Sequence, residues 1–98
     1  MNRRLSMTVE AAEGLAVQAL TYLAGDSERL SRFLVATGLE PGKIRAASSE
    51  PEFLVGVLDH LVCDERLLTD FADEVGIHPT DIGEALAALG GRWEPESS

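Results

Sequence analysis

The fold is decided by residues 50–63, which read EPEFLVGVLDHLVC. Apolar side chains recur there every three or four positions, the spacing that places them on one face of an α-helix. They are Phe53, Leu54, Val57, Leu58, Leu61 and Val62. Ser49 and Glu52 stand three apart at the start of the run, which is the pattern of a capping box, and Pro51 suits the first helical turn because its N–H is missing. We therefore expect this segment to be a central helix of the core.

The same pattern occurs earlier in the chain. Shifting the sequence by 38 positions aligns residues 15–48 with residues 53–86 without a gap. Ten pairs are then identical, and their first members are Val17, Leu20, Leu23, Asp26, Leu30, Phe33, Gly38, Pro41, Ile44 and Ala47. Apolar, cap and turn positions match while the other positions differ, so the alignment predicts one scaffold present twice.

Each copy is expected to form three helices. The periodicity and the cap residues predict helices over 9–24, from a cap at Asp26 or Ser27 to Gly38, over 41–48 and over 50–63, then from Asp64 to Gly76 and from Pro79 to Gly90-Gly91. No segment alternates apolar and polar residues with a period of two, so no sheet is expected. The predicted fold class is all-α: about six helices in one compact domain over 1–98, built as two pseudo-symmetric three-helix repeats with turns like those of a helix-turn-helix.

The domain has further expected boundaries. Repeat one covers about 9–48 and repeat two about 49–90, with their first helices as the central pair. The ends, 1–5 and 92–98, are polar and are expected to be flexible.

The composition narrows the functional class. The 98 residues carry a net charge of −9, which argues against general binding to nucleic acid or an anionic membrane. A single cysteine, Cys63, excludes an internal disulfide framework and fits a reducing compartment. No apolar run is long enough to span a membrane, and the first residues lack the apolar stretch of a secretory signal. The expected location is the cytoplasm.

The charge is concentrated in the second half of the chain. Residues 1–49 are at +1 and residues 50–98 are at −10. The acids of repeat two that are expected to form one surface are Glu65, Asp70, Asp73, Glu74, Asp81 and Glu84. Like charges at i, i+3 and i+4 repel each other on a helix, so such a surface is either a solubilising one or the imprint of a basic partner.

A helix-turn-helix pattern supports a second interpretation. The spacing of Phe71 to Ile82 around Gly76 resembles the core of that motif, but its outward positions are acidic. Repeat one has the same spacing with cations beside it, so the candidate nucleic-acid surface of this alternative is formed by Arg29, Arg32, Lys43 and Arg45.

Catalytic and metal sites are not predicted. His60 and Cys63 lie three apart on one helix and form a zinc-like pair, but no second pair stands at ligand spacing. The chain has no glycine-rich phosphate loop and no nucleophile motif. We therefore expect no enzyme activity, no cofactor and no metal.

Several short segments carry a resemblance to a known family. They are LAVQAL at 15–20, LSRFL at 30–34, TGL at 37–39, FL at 53–54, VLD at 57–59, DE at 64–65 and ALGG at 88–91. Together they resemble a family of small proteobacterial proteins classed only as a domain of unknown function, over about residues 9–91. The resemblance implies an all-helical, bacterial, cytoplasmic protein and supplies no activity or cofactor.

The sequence therefore predicts a non-catalytic helical interaction module. Its expected partner is another protein, bound through the acidic surface of repeat two or an apolar groove between the repeats. A helix-turn-helix-like DNA-binding regulator acting through the basic surface of repeat one is the alternative. The protein itself is expected to be a monomer or a homodimer.

Overall fold

The structure, a computed structural model, describes residues 7–90, and these residues form helices and turns without a strand. The elements are α1 (Val9–Ala24), α2 (Ser27–Thr37), a 3-10 turn (Pro41–Lys43), α3 (Ile44–Ala47), α4 (Pro51–Val62), α5 (Glu65–Val75) and α6 (Pro79–Ala88). The predicted all-α class with six helices is confirmed. The ends expected to be flexible, 1–5 and 92–98, lie outside the described residues.

Side-chain caps begin three of the helices. Thr8 Oγ1 accepts the N–H of Ala11 at 3.0 Å. Asp26 Oδ1 accepts the N–H of Glu28 at 2.8 Å, and Asp64 Oδ1 accepts that of Leu67 at 3.2 Å. Each bond satisfies an N–H that has no partner inside the helix, which fixes the first residue of α1, α2 and α5.

Glycine ends α2 and α5 in the same way. Gly38 and Gly76 have φ of 73° and 75°, the left-handed region that a side chain disfavours. The two turns differ in their next bond, since Ile77 N–H donates to Ala72 O at 2.9 Å whereas Leu39 N–H donates to Thr37 Oγ1 at 3.3 Å. The sequence predicted that these two helices end at Gly38 and Gly76, and both glycines are the C-cap residues.

The capping box expected before α4 is wrong. Glu50 is the residue before that helix, no side chain caps it, and Ser49 Oγ donates instead to Ala46 O at 3.3 Å. A reciprocal bond of this kind occurs at α6, where His78 N–H donates to Asp81 Oδ2 at 3.1 Å. The Ser49 hydroxyl thus bonds to the turn before it and not to the start of α4.

The core lies between α1, α4 and α6. Its fully buried side chains come mainly from these helices, and they include Leu23 from α1, Val57, Leu58 and Leu61 from α4 and Ile82 and Leu86 from α6. Helices α1 and α4 pack together as expected, but α6 packs against both. The expected central pair is therefore a central group of three.

Two aromatic contacts join the repeats reciprocally. The Tyr22 ring lies 5.3 Å from the ring of Phe71, and the His60 ring lies 5.2 Å from the ring of Phe33. Positions 22 and 60 are equivalent under the shift of 38, and so are positions 33 and 71. A twofold relation between the repeats would produce such an exchange. The symmetry of the whole backbone stays a prediction.

The third helices of the two repeats differ. Helix α6 is ten residues long and buries Ile82, Ala85 and Leu86, whereas the 3-10 turn and the four-residue α3 bury no residue fully. Ile44, the counterpart of Ile82, is half-buried against the core. Gly42 is one cause of the weak helix, because glycine costs about 1 kcal/mol relative to alanine in a helix interior.

Candidate functional site

The predicted acidic surface lies on α5 and α6. Glu65, Asp70, Asp73 and Glu74 are exposed, and Asp81 and Glu84 are half-buried. Their backbones follow one another through the Gly76 turn, which joins the two helices. The six residues thus belong to one continuous part of the chain.

Two of the six acids have a role in the fold. Glu65 stands in the first turn of α5, where a negative charge is favoured by the helix dipole. Asp81 accepts the N–H of His78 and so caps α6. Their presence is explained without a partner.

Three of the acids on α5 are not explained by the fold. Asp70, Asp73 and Glu74 form no ion pair and no hydrogen bond through their side chains with another residue of 7–90. Asp73 and Glu74 also stand in the last turn of α5, where the helix dipole disfavours a negative charge. The spacing within the group adds repulsion of a few tenths of a kcal/mol per pair. We call Asp70, Asp73 and Glu74 the α5 acidic face.

Arg29 and Arg32, two of the four cations of repeat one, have different partners in the structure. The Arg29 guanidinium lies 3.8 Å from the centre of the Tyr22 ring and donates through Nη2 to Tyr22 O at 2.9 Å. Arg32 pairs with Glu28 at 3.1 Å on the exposed side of α2. Arg29 therefore holds α1 and α2 together at their shared corner, and its charge is not presented freely to solvent.

Lys43 and Arg45 are exposed, but the helical segments that carry them are short. Lys43 ends the 3-10 turn and Arg45 lies in α3, which has four residues. A recognition helix places several successive side chains in the major groove, which needs more than one turn. DNA binding through Arg29, Arg32, Lys43 and Arg45 stays a prediction that this arrangement does not favour.

An open groove runs between the repeats. It has a volume of about 500 Å³ and lies between the first three turns of α1 and the turn that leads into α6. Its lining residues are Met7, Ala11, Gly14, Leu15, Gln18, Ile77 and Asp81. The sequence predicted an apolar groove between the repeats, but it did not predict which residues of α1 line it. Those residues could not be predicted because the contact between α1 and the α5–α6 turn is tertiary.

Gly14 is unusual among the groove residues. It stands in the middle of α1 and is exposed, and a Cβ placed on it would meet no atom of residues 7–90 within 4 Å. The fold therefore does not need a glycine at this position, although glycine destabilises a helix interior. Gly14 leaves the floor of the groove free of a side chain.

The two residues of the zinc-like pair, His60 and Cys63, lie in different surroundings. His60 is half-buried with its ring edge against Phe33, while Cys63 is exposed and its Sγ lies 4.0 Å from Asp59 Oδ2. Burial lowers the pKa of His60 below its ordinary 6.5, and Asp64 and Asp59 oppose that shift. In the described part of the chain no three His, Cys, Asp or Glu side chains are grouped as metal ligands.

No helix within residues 7–90 combines the length and the apolar character that a membrane span requires.

The fold over residues 7–90 is that of an all-helical domain. The family model described as "Protein of unknown function (DUF3572)" matches residues 9–92. The chain belongs to this family, which agrees with the resemblance found in the sequence. No curated protein and no solved structure matches the chain.

Proposed function

We propose that this protein is a non-catalytic interaction module that binds a basic protein partner through the α5 acidic face. The observation that carries the proposal is the unpaired state of this face within residues 7–90. Its carboxylates repel one another, and those of Asp73 and Glu74 also oppose the helix dipole, so the group lowers the stability of α5. A cationic partner would remove both penalties on binding.

The rest of the helix leaves this face available. Phe71 and Ala72 turn inward and are buried, so α5 is anchored by its opposite side. Binding at the exposed side then requires no unfolding and no change in the core. Charge complementarity of this kind speeds association and suppresses wrong partners.

A charge-neutralising variant tests the proposal. Asp70→Asn, Asp73→Asn and Glu74→Gln together should abolish retention of the partner in a pull-down at low salt. Retention by the wild type should fall as salt rises, because the screening length shortens from about 30 Å at 0.01 M to about 8 Å at 0.15 M.

A matched variant provides the control. Glu40→Gln, Glu50→Gln and Glu52→Gln change the net charge by the same amount at exposed positions elsewhere. This control should retain the partner as the wild type does. Equal retention by both triple variants would contradict the proposal, and so would equal loss.

The proposed location is the bacterial cytoplasm. Cys63 is exposed and is the only cysteine, and a free exposed thiol suits a reducing compartment.

A further inference from the structure

We infer that the groove between α1 and the α5–α6 turn binds a cationic amphipathic helix, with Gly14 as the residue that keeps the groove open. The inference rests on the proposed function, because it names the partner's chemistry and adds a second part to its binding surface.

The shape and lining of the groove fit one face of a helix. Met7, Leu15 and Ile77 give it apolar walls, and Ala11 and Gly14 give it a shallow floor. From Ala11 to Gln18 it extends about 10 Å along α1 at 1.5 Å per residue, which matches two turns of a partner helix. A helix presents apolar side chains at i, i+3, i+4 and i+7 to a groove of this kind.

The border of the groove is acidic. Asp81 lines it on the α6 side, and Glu10, which is exposed, lies one turn before Gly14 on the same side of α1. The α5 acidic face precedes Ile77 by only a few residues. An occupant with lysine or arginine beside its apolar stripe would therefore meet carboxylates on both walls.

The charge of the chain disfavours a second copy as the occupant. Each chain carries −9, so two copies repel each other. A cationic occupant is attracted by the same field.

The missing side chain of Gly14 leaves space for a ligand in the groove. Among the residues that the structure describes, none has an atom within 4 Å of the place that a Cβ of Gly14 would take. The absence of a Cβ permits a partner backbone or a large apolar side chain to approach α1 closely.

The test uses a synthetic helix-forming peptide of about four turns, with leucines on one face and lysines on the others. Its affinity for the full chain is measured by calorimetry, and its position by the amide shifts of Gly14 and Ile77 in NMR spectra. The scrambled peptide of equal composition has no apolar face and should bind at least about tenfold more weakly.

Two substitutions locate the site. Gly14→Leu fills the groove and should weaken binding by about tenfold or more, without lowering the unfolding midpoint, because leucine is the better helix former. Gly42→Leu introduces the same side chain at an exposed glycine of the 3-10 turn and should leave the affinity unchanged.

The outcomes separate this inference from the proposed function. If Gly14→Leu binds the peptide with wild-type affinity, the inference that the groove is the binding site is overturned. The proposed function then stands only if neutralising the α5 acidic face still abolishes binding. Loss in Gly14→Leu with full binding in the neutralised variant supports the groove and overturns the proposed role of the acidic face. Self-association of the wild type that Gly14→Leu abolishes would make the occupant a second copy and overturn the inference.

Discussion

The imidazole of His60 makes the stability of the core depend on pH. Its ring packs edge-on against Phe33, and burial lowers its pKa below 6.5. The folded protein therefore favours the neutral ring, so the stability is complete above pH 6.5 and decreases as the pH falls through the folded pKa. Asp59 and Asp64 reduce this loss because they favour the charged ring.

We predict that His60→Tyr removes this part of the pH dependence. Tyrosine stands at the equivalent position 22 and packs on Phe71, so the variant keeps an aromatic contact without a group that titrates near neutral pH. The difference in urea midpoint between variant and wild type should grow in favour of the variant from about pH 8 to about pH 5. A constant difference in urea midpoint between His60→Tyr and the wild type over this pH range would contradict the prediction.

At the scale of one element, the end of α2 depends on the backbone of Gly38. Its φ of 73° is the left-handed conformation. We predict that Gly38→Ala lowers the free energy of unfolding by about 1–2 kcal/mol, which is the cost of placing a Cβ in that region. Chemical denaturation followed by circular dichroism measures the change.

The same substitution at Gly14 should have the opposite sign. Gly14 lies in the middle of α1 and has open space around it, so Gly14→Ala should raise the free energy of unfolding by about 0.5–1 kcal/mol. Destabilisation by both alanines would show that the loss at Gly38 does not come from its left-handed backbone.

The element scale also shows what the sequence can predict. The bounds of α1 agree with the predicted 9–24, and Asp26, Asp64, Gly38 and Gly76 have the predicted roles. These features are local, since a cap or a left-handed glycine needs only its neighbours in the chain.

Two local hydrogen bonds and one tertiary contact explain what the sequence missed. Ser49 bonds backward to Ala46, so the expected capping box does not form. Asp81, predicted as part of an interaction surface, also caps α6. The groove includes Met7 and Gly14 because α1 lies opposite the turn before α6. The sequence pattern of either segment alone does not predict this contact.

At the scale of the whole molecule, each repeat needs the other to cover its phenylalanine. Phe33 is fully buried and meets His60 and Phe53 of repeat two, whereas Phe71 is fully buried and meets Tyr22 of repeat one. A chain of about 40 residues cannot bury enough apolar surface to fold alone.

We predict that fragments 7–48 and 49–90 are each unfolded and become helical when they are mixed. The mixture should gain far-ultraviolet circular dichroism beyond the sum of the two separate spectra. Phe33→Ala in the first fragment should prevent the gain, whereas Val35→Ala should not, because Val35 is 82% exposed. A first fragment that is fully helical by itself would contradict the prediction.

The reciprocal ring contacts have a consequence for the charge of the surface. The two repeats are joined by residues 48–50, so they meet at an effective concentration of about millimolar. Pairing therefore needs no help from charge on the outer sides of the helices. Those sides can differ in charge without preventing the pairing, and the chain carries +1 over 15–48 and −7 over 53–86. Because of the covalent link, the buried residues alone hold the two repeats together. The residues on the outer sides of the helices are available to bind another molecule.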